Sequence, residues 1–370
     1  MLRQKVDPMV MSPRPDIFQE LEAHRGQRHL IVLQAYPDPD AIASAYAHRL
    51  ISAVFDIQTT IVYSGKISHP QNAALVKLLG IDLHPFDESL HLEDYAGAVF
   101  VDNQGTTSED IVRALEAAGV PALIVVDHHD LQERLKAEFS DIRRVGATST
   151  IYAGYLEHGP LELSKSQRDH VKVATALLHG LITDTGGFIH AEMEDFCAAR
   201  FLSTLRDADL LSQIMHQACS KATMEVIREA LGNRRVVESF SISGIGYLRA
   251  EDRDAIPQAA DFLLNEENVH TAIVYGIVTG DERNEVVVGS MRTTKLSLAP
   301  DEFLKDVLGR NAEGRPYGGG KASAGGFEIP LSFLSGGHDD DYQKLKWQVY
   351  DEQIRHKFLA KIGVDHKPAT

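Results

Sequence analysis

Apolar positions along the chain fall into short runs separated by stretches of helical periodicity. The runs at 29–33, 57–63, 97–101 and 122–126 are too short for helices and rich in β-branched residues, so each predicts a buried strand. Between them, 16–23 with Asp16 as its cap, 41–55, 72–79 closed by Gly80, and 108–118 read as helices. Ala41, Ala43, Ser44, Ala45 and Ala47 are small enough to let the second of these helices lie close on a sheet. Such βα alternation predicts an α/β fold built on a doubly wound, mostly parallel sheet.

From Gly146 the pattern turns helical, with helices expected over 148–156, 166–181, 194–205 and 207–231. It changes again near 232–238. Strands at 236–248, 271–278 and 285–291, with helices near 256–264 and 300–308, predict a smaller α+β domain. The expected organisation is an N-terminal extension over 1–27, a first domain over 28–231 that includes the helical segment, a second domain over 235–330, and a C-terminal helical tail over 331–370. The tail reads as an amphipathic helix over 340–362, for which packing is the default role and self-association into a homodimer is left open.

Length and composition agree with two domains, since 370 residues exceed the size at which one core keeps growing. Hydrophobic residues at 44% and charged residues at 24% are ordinary for a soluble globular protein. The apolar runs fall short of the ~20 residues a membrane helix needs, and residues 1–15 lack a signal peptide's apolar centre. Cys197 and Cys219 are too few for a disulfide framework; they fit a reducing cytoplasm and are expected to be buried as small hydrophobes. A net charge of -16 argues against non-specific coating of duplex nucleic acid. It still permits a short phosphorylated substrate, gripped locally by a metal and a few Arg or Lys.

Candidate chemistry lies where the strands stop. The first run leads into Gln34 and then Asp38-Pro39-Asp40, the third into Asp102, and the fourth into Asp127-His128-His129. A further acid, Asp184, is read as following a helix and opening the loop Thr185-Gly186-Gly187-Phe188. Any one of these acids alone is a turn or cap residue. Delivered together to the carboxyl edge of a parallel sheet, where ligands bind, they would repel one another unless a cation neutralised them. Oxygen ligands with an imidazole suit Mn²⁺ or Mg²⁺ better than a structural zinc. Late in the chain, Gly318-Gly319-Gly320-Lys321 opens a glycine-rich segment that no ordinary turn requires.

These motifs, in order and rough spacing, resemble the DHH phosphoesterase superfamily over about residues 28–330. The best fit is the branch with a DHH-associated C-terminal domain, similar to bacterial nanoRNase/pAp phosphatases. The resemblance implies a metal-dependent phosphoesterase acting on a short single-stranded oligonucleotide or a small nucleotide such as pAp, with no membrane role. It implies two Mn²⁺ ions, with Mg²⁺ as the alternative. Asp38 would bind one ion, Asp40, His128 and Asp184 the other, and Asp102 would bridge them. Asp127 would orient a neighbouring group and His129 would face substrate, while Arg292, Gly318, Gly319, Gly320 and Lys321 would contact phosphate or the terminal nucleotide.

Two positions depart from the family pattern: Gln34 and Lys321 each stand where the family has His. A carboxamide oxygen is a weaker ligand than imidazole, so Gln34 predicts a loose first ion. Lys321 keeps a positive charge but cannot transfer a proton as a near-neutral imidazole would. A catalytically degenerate nucleotide-binding or regulatory protein that keeps the fold is therefore the alternative. An inorganic pyrophosphatase would share the first domain, but its second domain carries a different, Lys/Arg-bearing signature.

Overall fold

The computed structural model describes residues 16–67, 69–87, 89–279, 285–321, 323–336 and 339–364. Two compact units divide the chain between Gln217 and Ala218.

In the first unit the order is α1 (Ile17–Ala23), β1 (Arg28–Val32), α2 (Pro39–Ala53), β2 (Gln58–Tyr63), α3 (Pro70–Leu79), β3 (His84–Pro85), β4 (Gly97–Val101), α4 (Glu109–Ala118), β5 (Ala122–Asp127), β6 (Phe139–Ile142), α5 (Thr148–His158), α6 (Arg168–Asp184), α7 (Met193–Ser203) and α8 (Ala208–Met215). The strands pair in parallel in the order β3-β2-β1-β4-β5-β6, which is the expected α/β sheet. Alternate residues of a strand face opposite sides, and the buried residues follow that rule. Ile31, Val99, Ile124 and Val126 pack with Ile42, Ile151 and Leu177 of α2, α5 and α6, whereas Leu30, Phe100 and Val125 pack with Ile111 and Leu115 of α4. From β1 the chain winds outward to β2 and β3, then returns to β4 on the other side. The order therefore reverses between β1 and β4, and the crevice at such a switch point is where an open α/β sheet binds ligands.

Several elements differ from expectation. The sequence pattern does not predict β6, because its four residues bury only Phe139 and Asp141 fully and so show no apolar run. Asp184 does not open a loop; it is the last residue of α6. The single helix expected over 207–231 is two helices, α8 and α9 (Lys221–Asn233), because Ser220 caps a fresh helix through Thr223 N. The unit division falls earlier than the junction read near 231–235, because Val226, Ile227 and Ala230 of α9 pack into a core of the second unit. Cys197 and Cys219 are both exposed and free, not buried.

After α9 the second unit contains β7 (Arg235–Val237), β8 (Phe240–Arg249), α10 (Ala255–Leu263), β9 (Thr271–Thr279), β10 (Glu285–Thr293), α11 (Pro300–Leu308), β11 (Gly318–Gly320), β12 (Ala324–Pro330) and α12 (Asp340–Lys361). One mixed sheet runs β11-β12-β10-β9-β8-β7, antiparallel except for the β8/β9 pair. The strand read over 236–248 is a hairpin. Glu238 and Ser239 both have positive φ, 49° and 66°, which a two-residue type I′ connection requires.

The glycine run at 318–320 is a strand. Gly318, Gly319 and Gly320 pair with Phe327, Gly326 and Gly325, and a Cβ on Gly320 would collide with the Ala324 carbonyl. The tail helix α12 belongs to this unit: Ile354, Phe358 and Leu359 are buried beside Phe303 and Phe327. Burying a side chain such as Phe358 is worth about 2–3 kcal/mol, enough to dock the helix.

Candidate metal centre

At the β1 end of the switch point, Asp38 caps α2, with Ala41 N donating to its Oδ1 at 2.9 Å. Its other oxygen accepts from Gln34 Nε2 at 3.0 Å. Asp40, one residue into α2, is buried and receives the amides of Thr148 and Ser149 at 2.7 and 2.8 Å. Those amides are at the N-terminus of α5, where unpaired donors and the helix dipole favour an anion. The approach is close because α6 has Gly180 there; a Cβ would stand 2.9 Å from Asp40 Cα.

β4 leads directly into Asp102, buried and in the left-handed region at φ 56°, a conformation that a non-glycine residue adopts at a cost. Thr148 Oγ1 donates to its Oδ1 at 2.8 Å. β5 ends at Asp127, whose carboxylate accepts from Gln104 Nε2 at 2.7 Å, from the amides of His128 and His129 at 2.8 and 3.2 Å, and from His129 Nδ1 at 2.8 Å. This carboxylate is a buried clamp on the following dipeptide.

The clamp aims His128. Its Nδ1 donates to Val145 O at 3.1 Å, so Nε2 is the ring nitrogen presented to the acids. Nε2 lies 3.1 Å from Asp184 Oδ2 and 3.6 Å from Asp102 Oδ1. Two sets of ligand-type atoms meet at this imidazole, Asp40/His128/Asp184 and Asp102/Asp127/His128/His129, each within 4.8 Å. Asp38, read as a ligand of the other ion, belongs to neither set; it accepts a hydrogen bond from Gln34, read as the weak ligand beside it.

Electrostatics mark the spot independently. Burial raises the Asp184 carboxyl to about 7, helped by Asp40 and opposed by His128. Burial likewise raises Asp40, with Asp38 adding to it, and lifts Asp102 well above the carboxylate range, with Asp40, Asp38 and Asp127 adding to that. Burial would raise Asp127 too, but hydrogen bonds from His129 and Gln104 outweigh it and hold the group low. Crowded acids of this kind lack a counter-charge that a divalent cation would supply. Oxygen donors with one pre-set imidazole nitrogen fit Mn²⁺ or Mg²⁺.

Sequence reasoning overlooks the supports. Gln104 follows Asp102 in Asp102-Asn103-Gln104-Gly105, and a polar run straight after a strand end is the available signal. Thr148 and Ser149 open α5 after Gly146, and small polar residues at a helix start suit an anion. Asp195 gives no local signal, because it acts from α7: buried, it accepts from Gly146 N at 3.0 Å, Thr150 Oγ1 at 2.6 Å and Glu192 N at 2.8 Å.

In the second unit Arg292, Gly320 and Lys321 do come together, lining a pocket of about 340 Å³ with Ser290 and Arg253, a cation that no sequence motif points to. Gly318 and Gly319 contribute backbone to β11, facing Phe327 and Gly326. Arg292 is anchored, its Nε donating to Asp261 at 2.8 Å and its Nη1 to Ser290 Oγ at 2.8 Å.

A doubly wound α/β unit with an acid-and-imidazole cluster at its switch point, joined to a mixed-sheet unit, is thus the class this chain represents. No protein-family model matches it. The uncharacterized protein MJ1633 of Methanocaldococcus jannaschii is 35% identical over 338 residues, which cover 90% of this chain and 64% of that protein, so the chain spans just under two-thirds of its relative's length. The crystal structure of an exopolyphosphatase-related protein from Bacteroides fragilis is similar in fold, with a TM-score of 0.65, 16% identity, and coverage of 94% of this chain and 97% of that one. Among the described residues no helix is long and apolar enough to cross a membrane.

Proposed function

We propose that this chain is a metal-dependent phosphoesterase of the DHH type, which cleaves a short single-stranded oligonucleotide or a small nucleotide such as pAp. The observation that carries the reading is the orientation of His128, whose Nδ1 is committed to Val145 so that Nε2 faces Asp184 and Asp102. With Nδ1 occupied by Val145, Nε2 is the ring nitrogen left to share a cation with those carboxylates. The structural neighbour from Bacteroides fragilis is an exopolyphosphatase-related protein, and that supports phosphoryl chemistry on this fold.

Asp40, His128 and Asp184 would hold one Mn²⁺, or Mg²⁺ in its place, and Asp102 would reach a second. Bound there, a pair of divalent cations supplies charge for the phosphate oxygens and lowers the pKa of water. The chain's own residues do the rest. Asp127 fixes the backbone and ring of His129, half-exposed at the mouth of the cluster, so that this imidazole meets the substrate phosphate or passes a proton to the departing oxygen. Arg292 and Lys321, with the Gly320 backbone, would bind phosphate or the terminal nucleotide.

A second reading has one observation in its favour. Gln34 spends its amide on Asp38, an arrangement that suits a binding protein in which the first ion is no longer held. Assaying Mn²⁺-dependent hydrolysis of pAp, dinucleotides, cyclic dinucleotides, pyrophosphate and polyphosphate decides between them. Turnover of a phosphodiester or of pAp, abolished by Asp184→Asn, supports the enzyme; tight nucleotide binding with no turnover of any of them supports the binder.

A further inference from the structure

The first unit holds another cluster of ligand-type atoms, at the edge of the sheet opposite the metal centre. Glu20, in α1, and His24, the C-terminal cap of that helix, are one turn apart and share a face. Glu138 stands immediately before β6, at the amino end of that strand, whereas Asp102 and Asp127 lie at carboxyl ends. His24 Nε2 is 3.2 Å from Glu20 Oε1 and 3.6 Å from Glu138 Oε2, and one ligand atom from each of the three residues lies within 4.8 Å of the others. The longer separation is beyond hydrogen-bond reach, so a single N–H cannot serve both carboxylates. A cation can. Ligands bound tetrahedrally at about 2.0–2.2 Å from an ion stand about 3.3–3.6 Å from one another, close to both separations.

The imidazole is aimed from behind. Its Nδ1 donates to Gln27 Oε1 at 3.0 Å, a carbonyl oxygen that can only accept, so Nε2 is the nitrogen presented to the acids. The same oxygen accepts from Nε2 of the fully buried His29 at 3.3 Å. Nδ1 of His29 is buried with no partner among the described residues, so it is the nitrogen that goes without a proton, and the N–H is spent on Gln27. Support of this kind behind a ligating imidazole fixes its orientation. Among the described residues no Lys or Arg pairs with Glu20 or Glu138: the neighbouring Arg25 is taken by Glu22 and Asp56, and Arg28 by Asp94. Two carboxylates therefore share one imidazole and lack a counter-charge.

We infer that Glu20, His24 and Glu138 form a Zn²⁺ site that ties α1 to the edge strand β6, with solvent completing the ion's ligands on the exposed side of Glu138. One imidazole with two carboxylates suits zinc, whereas Ca²⁺ and Mg²⁺ take all-oxygen sets. Both elements gain from such a link. In α1 only Ile17 and Leu21 are buried, and β6 fully buries only Phe139 and Asp141. The site is independent of the reaction assigned to the metal centre. Glu138→Gln and Glu20→Gln each keep the size of the side chain and remove one ligand charge, and neither position is buried, so both variants should fold.

The experiment is equilibrium dialysis of the full chain and both variants against micromolar Zn²⁺, with bound zinc measured by elemental analysis and hydrogen exchange of residues 17–24 followed with and without the ion. Each variant is expected to bind one Zn²⁺ fewer per chain than the parent. In the parent, zinc should slow exchange in α1 about tenfold once the free ion is about ten times its Kd, and in the variants it should not. Asp184→Asn, which weakens the centre at the other edge, should leave that protection in place. Equal zinc content in parent and variants, or α1 protection that survives in them, overturns the assignment and leaves His24 an imidazolium paired with Glu20. So does protection that vanishes with Asp184→Asn, which would make it an effect of the metal centre.

Discussion

Val145 presents its carbonyl oxygen to Nδ1 of His128 at 3.1 Å, and the next residue, Gly146, donates its amide to the Asp195 carboxylate at 3.0 Å. The imidazole that faces the acid cluster is thus oriented by a loop that a third element, α7, holds in place. Gly146 must be glycine for this, since a Cβ would run into the Asp195 carboxylate.

Asp195→Ala should expose the consequence. It leaves Gly146 N, Thr150 Oγ1 and Glu192 N without their buried acceptor, a loss of about 2–3 kcal/mol in urea unfolding. Freed from that anchor, the Val145 carbonyl no longer fixes His128, and Mn²⁺ affinity should fall by about tenfold or more. Stability loss with unchanged metal binding, by calorimetry, would show that the loop keeps its place unaided.

Asp102→Asn separates charge from backbone. Asparagine tolerates the left-handed region, where Asp102 sits at φ 56°, and still accepts from Thr148 Oγ1. Because burial and neighbouring acids raise the Asp102 carboxyl, its ionised form opposes folding at neutral pH, and stability from this group falls as pH rises. In EDTA at pH 7 the variant should therefore be more stable than the parent, whereas Mn²⁺ retained after dialysis should drop. An unchanged metal content by elemental analysis would remove Asp102 from the ion site.

Gln34→His tests the enzyme and binder readings together. In the parent, the Gln34 amide is given to Asp38 at 3.0 Å. An imidazole there would offer a stronger ligand atom, tighten a second ion and raise turnover at low Mn²⁺ if metal loading limits the rate. Added metal without added turnover would favour the degenerate binder; a parent already saturated with two ions at micromolar Mn²⁺ would show that glutamine is no handicap.

Three fully buried histidines give the fold a sensitivity to acid. Burial lowers His29 to about 4, His48 to about 3 and His179 to about 4, each with a smaller push from a neighbouring histidine. All three stay neutral in the fold between pH 6.5 and about 4 while the unfolded chain takes up protons, so stability is present above pH 6.5 and lost as pH falls. Each contributes a slope of up to about 1.4 kcal/mol per pH unit. Neither ring nitrogen of His179 has a hydrogen-bond partner among the described residues, so His179→Leu should keep the packing and remove one share of that slope. Urea midpoints at pH 7 and pH 5 measure it; parallel shifts in parent and variant would refute the role given to His179.

The periodicity of the sequence by itself determined the kind of fold. Strand-length apolar runs alternating with helical stretches admit few arrangements other than a wound parallel sheet, and acids at the ends of those runs necessarily share its carboxyl edge. Asp38, Asp40, Asp102 and Asp127 to His129 were legible for that reason, as were the helix caps at Asp16 and Gly80. Only the tertiary structure decided which acids meet which imidazole. His128 takes its orientation from Val145 and Asp195, Asp40 is received by α5, and Asp184 arrives from the end of α6. Each of those contacts joins residues far apart in the chain, and local pattern carries no information about such pairings. The glycines at 318–320 show the same limit: their composition announced a special segment, but a cross-strand fit against Phe327 and Ala324, not a flexible loop, is what excludes side chains there.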